Sequence, residues 1–204
     1  MFVVVEGIEG SGKSTLLSAL AERLRGEGRD VLVTREPGGT PAGDAMREIF
    51  LNRAITIAPL AESLLVNAAR AQHAIEVIRP GLSAGRIVLC DRFTDSTLAY
   101  QGYGRGLDLE SLREMNRIAA AGLAPELVLV LDLPVDVARS RMRERAATDR
   151  IEGEDDGFHE RVRKGFLELA RSPRHRVLDA TLPAEQLLEE ALRGVRALMQ
   201  PAAP

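Results

Sequence analysis

Aromatic side chains are scarce in this sequence, 3% of its 204 residues, and leave little on which the bases of a single-stranded nucleic acid could stack. Positive charge is not in excess either. The formal net charge is −3, so no global field exists to condense on a phosphate backbone, and no nucleic-acid polymer is expected as a partner. Cysteine occurs once, as Cys90 in the apolar run Ile87-Val88-Leu89-Cys90. That excludes a disulfide framework and a cysteine metal cluster, and it fits a buried, inert thiol. His73, His159 and His175 show no metal spacing with cysteine or with one another, and they read as structural or surface residues. No apolar run reaches membrane-spanning length and the start, MFVVVEGIEG, lacks a basic leader, so a cytoplasmic protein with no membrane partner is expected. Lysine is nearly missing: among 27 lysines and arginines only Lys13 and Lys164 are lysine. Where arginine is so preferred, a retained lysine marks a place that needs a compact ammonium.

What the chain does have is apolar content, 45% of residues, enough to bury one substantial core in a single domain, 1–204. Short β-branched runs at 2–6, 31–34, 86–90 and 127–131, with a weaker one at 176–178, read as strands. Helical spacing follows each of the first four: Leu16, Leu17, Leu20 and Leu24 after the first, then patterns through about residue 51, from 60 to 83 with Pro80 as a late interruption, at 94–100, at 109–121, and from Pro134. A last helix is predicted over 183–199, ahead of a loose PAAP tail. Strands alternating with helices indicate an α/β structure, a parallel sheet covered on both faces, with ligands at the C-terminal edge of the strands.

At that edge lies the strongest signal. Gly7-Ile8-Glu9-Gly10-Ser11-Gly12-Lys13-Ser14 matches GxxxxGK[ST], between a predicted strand and a predicted helix as the mechanism requires. Its glycines let backbone N–H groups converge on phosphate oxygens, helped by the positive end of the helix. The expected ATP set is Gly7, Glu9, Gly10, Ser11, Gly12, Lys13, Ser14 and Thr15, with Lys13 reaching the β- and γ-phosphates and Ser14 ligating magnesium.

The guanine-reading NKxD of GTPases is absent. Instead, the third strand ends in Asp91-Arg92-Phe93, where Asp91 suits the magnesium shell and Arg92 a bidentate phosphate clamp. An Asp-Arg pair also serves as a helix cap with a surface salt bridge, but a P-loop in the same sheet favours the functional reading. The second strand ends in Thr34-Arg35-Glu36-Pro37-Gly38-Gly39-Thr40. Two separate arginines at one ligand edge suggest a second anionic substrate.

Together these segments resemble the thymidylate kinases, which phosphorylate dTMP with ATP and magnesium. The likeness rests on the P-loop, TREPGGT at 34–40, AARAQH at 68–73, DRFTDSTLAYQGYGRG at 91–106, LVLVLDLP at 127–134 and DRIE at 149–152. The resemblance implies a three-layer P-loop NTPase fold of the nucleoside monophosphate kinase type, with a five-stranded parallel sheet, and a homodimer. It implies that Arg35 and Arg92 hold the acceptor phosphate, with Pro37 beside them, and that Arg70 meets the thymine carbonyl. Ser96 and Thr97 would lie near the base edge, while Tyr100 and Gln101 line the deoxyribose and base pocket. Glu9 would approach the 3′-hydroxyl and help order the magnesium site, giving Ser14, Asp91 and Glu9 as the metal set. One place departs: the family usually stacks a phenylalanine on thymine four residues before Arg70, and here that residue is Val66, also readable as an ordinary core position. An aliphatic contact in place of a stack loses about 1–3 kcal/mol.

Phosphoryl transfer to an ionised phosphate needs charge neutralisation and alignment more than a strong base. Lys13, Arg92 and Glu9 are the expected catalytic groups of the sheet edge. The subgroup that lacks an arginine in the P-loop, as here, is similar in supplying one from a mobile lid, expected at about 143–157 and carrying Arg145 and Arg150. Arg139 and Arg143 read instead as a solvated helix face. Two rivals are a deoxynucleoside kinase, whose acceptor is a hydroxyl, and a silent nucleotide sensor without an acceptor site.

Overall fold

The computed structural model describes residues 1–143 and 149–199. Its centre is one parallel sheet of β1 Phe2–Gly7, β2 Val31–Arg35, β3 Ile87–Asp91, β4 Leu127–Asp132 and β5 His175–Asp179, in the order β2-β3-β1-β4-β5. The order explains the composition of the strands. Central β1 is covered on both faces and buried along its whole length, so nothing in FVVVE alternates, whereas edge strands β2 and β5 mix buried with exposed positions.

Nine α-helices among the described residues surround the sheet: α1 Lys13–Gly26, α2 Pro41–Leu51, α3 Pro59–His73, α4 Arg79–Ser83, α5 Thr94–Thr97, α6 Leu109–Ala119, α7 Val135–Arg143, α8 Asp156–Leu169 and α9 Ala184–Met199. In α1, Leu16, Leu17, Leu20, Ala21 and Leu24 form the buried stripe that the spacing predicts, and truncating a fully buried leucine such as Leu20 costs about 2–5 kcal/mol. Thr40 caps α2 by accepting the Gly43 N–H at 2.9 Å, and Asp155 caps α8 by accepting that of Phe158 at 2.7 Å. The sequence-predicted α/β class, five parallel strands and helices on both faces are all present.

Two helices differ from the sequence reading. The pattern over 60–83 is not one helix: α3 ends at His73, a π-helical turn Ala74–Ile78 follows, and α4 begins at Arg79 with Pro80 in its first turn, where a missing N–H costs nothing. The pattern at 94–100 breaks after Thr97 into a π-helical segment, Leu98–Gly104. There Leu98, Ala99, Tyr100, Gln101 and Gly102 are all buried, so no solvent face exists to set a 3.6-residue period. Parallel register then assembles the ligand edge. Asp91 pairs with Val5 on one side and Arg35 on the other, which brings the ends of β1, β3 and β2 together.

Candidate active site

The loop after β1 turns through Gly7 and Gly10, both with positive φ. A Cβ there would lie 2.6 Å from the Leu131 carbonyl oxygen or 2.8 Å from that of Ala138, so only glycine fits. Lys13 is folded back on this loop, its Nζ donating to the carbonyls of Gly7 at 3.0 Å and Ile8 at 2.8 Å. Burial, and then Arg92, pull its ammonium down to about 8 against the carboxylates of Asp91, Glu9 and Glu6. Ser14 Oγ donates to Asp91 Oδ2 at 3.1 Å, while Asp91 Oδ1 is buried without a partner. A hydroxyl and a half-satisfied carboxylate fit magnesium, which keeps several waters and takes phosphate oxygens as its other ligands. Among the described residues no cluster of three or more His, Cys, Asp or Glu could hold a metal by itself.

Three guanidinium groups, those of Arg35, Arg47 and Arg92, line the same cavity as the loop. Arg92 has φ 70, a left-handed conformation that costs a non-glycine residue about 1–3 kcal/mol and is imposed by its surroundings. Buried Glu6 supplies the restraint, accepting the N–H groups of Phe93 at 2.8 Å and Ser96 at 3.2 Å and the Ser96 hydroxyl at 2.6 Å. So held, Arg92 donates to the Gly7 carbonyl at 2.9 Å and to Glu9 Oε1 at 2.8 Å, and lies 4.9 Å above the Tyr100 ring. Burial would push Glu9 up, but Arg92 and then Lys13, with the Tyr100 hydroxyl at 2.6 Å, outweigh it and hold the carboxyl below its usual range. Arg35 reaches Asp44 at 3.3 Å. Arg47, which no sequence motif marks, is pushed down by burial and then by Arg35 and Arg92. Like charges crowded in this way favour an anion between them.

Farther in, Arg70 is 2% exposed, and its donors go to Glu36 at 2.7 Å, Asn116 at 2.6 Å, Thr97 at 2.9 Å, Asn67 at 3.1 Å and the Phe93 carbonyl at 2.9 Å. His73 joins from the other side, between Glu36 at 3.0 Å and Thr34 at 2.6 Å. Gln101 donates to Glu62 at 2.6 Å. Val66 faces the same cavity, as do Phe50 and Leu51 of α2.

The cavity these groups enclose measures about 300 Å³. Every acceptor-binding residue expected from the sequence lines it, as do the expected magnesium ligands and the ATP set apart from Gly7 and Ser11, which are buried. Of the lid arginines, Arg145 lies outside the described residues. Arg150 does not line the cavity: it pairs with Glu62 at 2.7 Å, donates to the Phe50 carbonyl at 2.9 Å and sits 5.2 Å over the Phe50 ring. Its neighbours Asp149, Ile151 and Glu152 do border the cavity, and the expected lid ends inside α8. Arg139 is more than a solvated face, since it donates to the Glu152 carbonyl at 2.8 Å and to Asp156 at 2.7 Å, tying α7 to this segment. His159, read as structural or surface, is 1% exposed with Nδ1 3.6 Å from Glu9, and burial pulls its imidazole down so that it is neutral. Arg47 and Phe50 line the cavity, Glu6 and Glu62 bond the lining residues Ser96 and Gln101, and His159 approaches Glu9; sequence reasoning missed all five. Only the fold joins them, and no spacing signals them.

Known proteins share this architecture. The thymidylate kinase family model matches residues 5–191. The thymidylate kinase of Pelotomaculum thermopropionicum is 50% identical over 95% of this chain and 96% of its own, and that of Deinococcus radiodurans is 50% identical over 96% of each. The crystal structure of thymidylate kinase from Ehrlichia chaffeensis superposes with a TM-score of 0.77 at 32% identity, covering 96% of this chain and 98% of its own.

Proposed function

We propose a division of labour among these residues from the premise that the chain belongs to the thymidylate kinase family, whose reaction is transfer of the γ-phosphate of ATP to dTMP, giving dTDP and ADP. The observation that carries the proposal is that one cavity is lined by two unlike anion sites, a glycine loop with Lys13 and a group of three arginines, Arg35, Arg47 and Arg92, with Arg92 touching both.

The donor triphosphate takes the amides of 7–15, and Lys13 exchanges the loop carbonyls of Gly7 and Ile8 for β- and γ-phosphate oxygens. Ser14 and Asp91, with Glu9 near them, would hold magnesium, which supplies charge neutralisation at the phosphates. Arg92 and Arg35 grip the acceptor phosphate, with Arg47 and Pro37 at their side. Tyr100 and Glu9 meet the sugar, and Ser96, Thr97, Gln101 and Arg70 line the base end. The attacking oxygen belongs to a phosphate that is already ionised, so no residue is assigned as a strong base. Catalysis is alignment and charge stabilisation in a site from which water is excluded.

A lid over the donor is proposed for about 143–157, supported by Asp149, Ile151 and Glu152 at the border of the cavity. The arginine that would neutralise the transferring phosphoryl from there is Arg145 or Arg150, and Arg150 must leave Glu62 to do so. A homodimer is proposed as well. α3 and α6 lie side by side with Leu60, Leu64 and Ile118 more than half exposed, an apolar surface for a second copy, and sedimentation tests it. Among the described residues no helix is long and apolar enough to cross a membrane. The cytoplasm is the proposed compartment, supported by a single buried free thiol, Cys90. ADP release measured across the nucleoside monophosphates and thymidine tests the whole reading: dTMP is turned over and thymidine is not. Turnover of thymidine in place of dTMP would mean a hydroxyl acceptor and overturn it.

A further inference from the structure

A pyrimidine is bound by polar groups at its edge and by a π surface against its face. Among the cavity-lining residues that are described, three carry benzenoid rings, Phe50, Phe93 and Tyr100. Each of the three carries a guanidinium over one face, and two are further held by contacts away from a base. Phe93 is 1% exposed, set edge-on to Phe2 with 5.0 Å between centroids and covered by the Arg70 guanidinium at 5.4 Å. Tyr100 lies under Arg92 and gives its hydroxyl to Glu9, which puts it at the phosphate and sugar end.

Phe50 is left, at the last turn of α2, and a chain of contacts ties it to the end where Gln101 sits. Gln101 donates to Oε1 of Glu62 at 2.6 Å, and Oε2 of Glu62 pairs with Arg150 at 2.7 Å. Arg150 then covers the Phe50 ring at 5.2 Å, donates its Nε to the Phe50 carbonyl at 2.9 Å and its backbone N–H to Leu51 at 3.1 Å. Glu62 is wholly buried, and burying a carboxylate is costly unless its partners are held in place. Arg105 also reaches it, at 3.4 Å. The opposing stripe of α3, Glu62, Val66 and Arg70 at i, i+4 and i+8, offers only an aliphatic side chain between its two charges.

We propose that Phe50 is the aromatic wall against which this chain packs the acceptor's pyrimidine, and that Glu62 and Arg150 are positioning residues that fix the Phe50 ring and the Gln101 amide at one end of the cavity. The proposal rests on the reading of the cavity as a dTMP site. It is tested by KM for dTMP and for ATP in Phe50→Leu, Val66→Phe/Phe50→Leu, Arg150→Gln and Phe50→Leu/Arg150→Gln. Losing the ring raises the dTMP KM about 5- to 30-fold, the lower part of the range for base–aromatic stacking, and leaves the ATP KM unchanged. Moving the ring to position 66 recovers most of that loss. Arg150→Gln raises the dTMP KM by a smaller factor and adds nothing to Phe50→Leu, because both act through one ring. If Phe50→Leu fails to fold, Arg150→Gln, which keeps the ring, still decides. The inference is overturned by a dTMP KM that does not move, by equal loss for both substrates, or by an Arg150→Gln effect confined to kcat, which would make Arg150 a phosphoryl contact. Wild-type protein that does not turn over dTMP overturns the function reading and this inference with it, whereas normal wild-type turnover with an unaffected Phe50→Leu overturns this inference alone.

Discussion

The two halves of the cavity are built by opposite means. The donor half is one unbroken stretch, Gly7 to Thr15, whose binding groups are backbone amides placed by glycine φ angles. The acceptor half is gathered from β2, α2, α3, the end of β3 and the π-helical segment after α5, and its groups are side chains already bonded to one another before any substrate arrives. A phosphate chain presents repeated, equivalent oxygens that a curved backbone can meet, whereas a monophosphate with a base attached needs charge at one end and shape at the other. A backbone cradle fails by strain at one point, and a side-chain network fails by leaving partners unpaired.

The largest effect is expected where the halves touch. Arg92→Ala removes the acceptor clamp and frees Glu9 beside the P-loop, and kcat should fall by about 10³-fold or more, measured by ADP release with both substrates saturating. A loss confined to the ATP KM would blur the division and assign Arg92 to the donor.

Next comes the network proper. Arg70→Ala strips the cation from Glu36, itself 3% exposed, and should destabilise the fold by about 3–5 kcal/mol in denaturant unfolding, besides relaxing discrimination among pyrimidine monophosphates. Unchanged stability together with equal loss on every acceptor would show that the pre-bonded network is not what reads the base.

The donor half should break differently. Gly10→Ala meets the Ala138 carbonyl oxygen at 2.8 Å in a conformation with φ 74, so about 1–3 kcal/mol of strain should appear as a raised ATP KM with dTMP binding intact. Weakened equilibrium binding of dTMP in this variant would mean that the halves are not separable.

A pH dependence of stability is expected behind Arg92. Burial, and then Asp95, push Glu6 up to about 8 from an ordinary 4.5, so the folded protein holds a proton there that the unfolded chain has released. The stability this contributes is complete below pH 4.5 and is lost as pH rises towards 8. Glu6→Gln keeps an acceptor for the Phe93 and Ser96 amides without that proton. Its stability relative to the parent should therefore climb with pH across this window, and a constant difference would refute the assignment.

The same contrast governs what could be read from the chain beforehand. The donor half was legible because its geometry is local: a strand, fixed glycines, one lysine and a helix are consecutive in sequence. The sheet was legible too, since FVVVE and LVLVL admit little besides buried strands. Arg35 and Arg92 were legible as anion-binding groups at strand ends and Arg70 was reached through family resemblance, but nothing in that likeness discloses that Arg70 is bonded to five partners or that Arg150 rests on Phe50. Arg47, Phe50 and Glu62 escaped because helices deliver them, where an arginine reads as surface, a phenylalanine as core and a glutamate as a solvated face. The π-helical turns escaped because periodicity needs a solvent side to show itself, and Leu98 to Gly102 has none.

The most direct measurement is a crystal structure with a non-hydrolysable ATP analogue, magnesium and dTMP bound together. The account predicts the monophosphate within about 3 Å of Arg35 and Arg92, facing a γ-phosphate cradled by the loop and Lys13. A monophosphate bound away from those two arginines, with the triphosphate still in the loop, would contradict it.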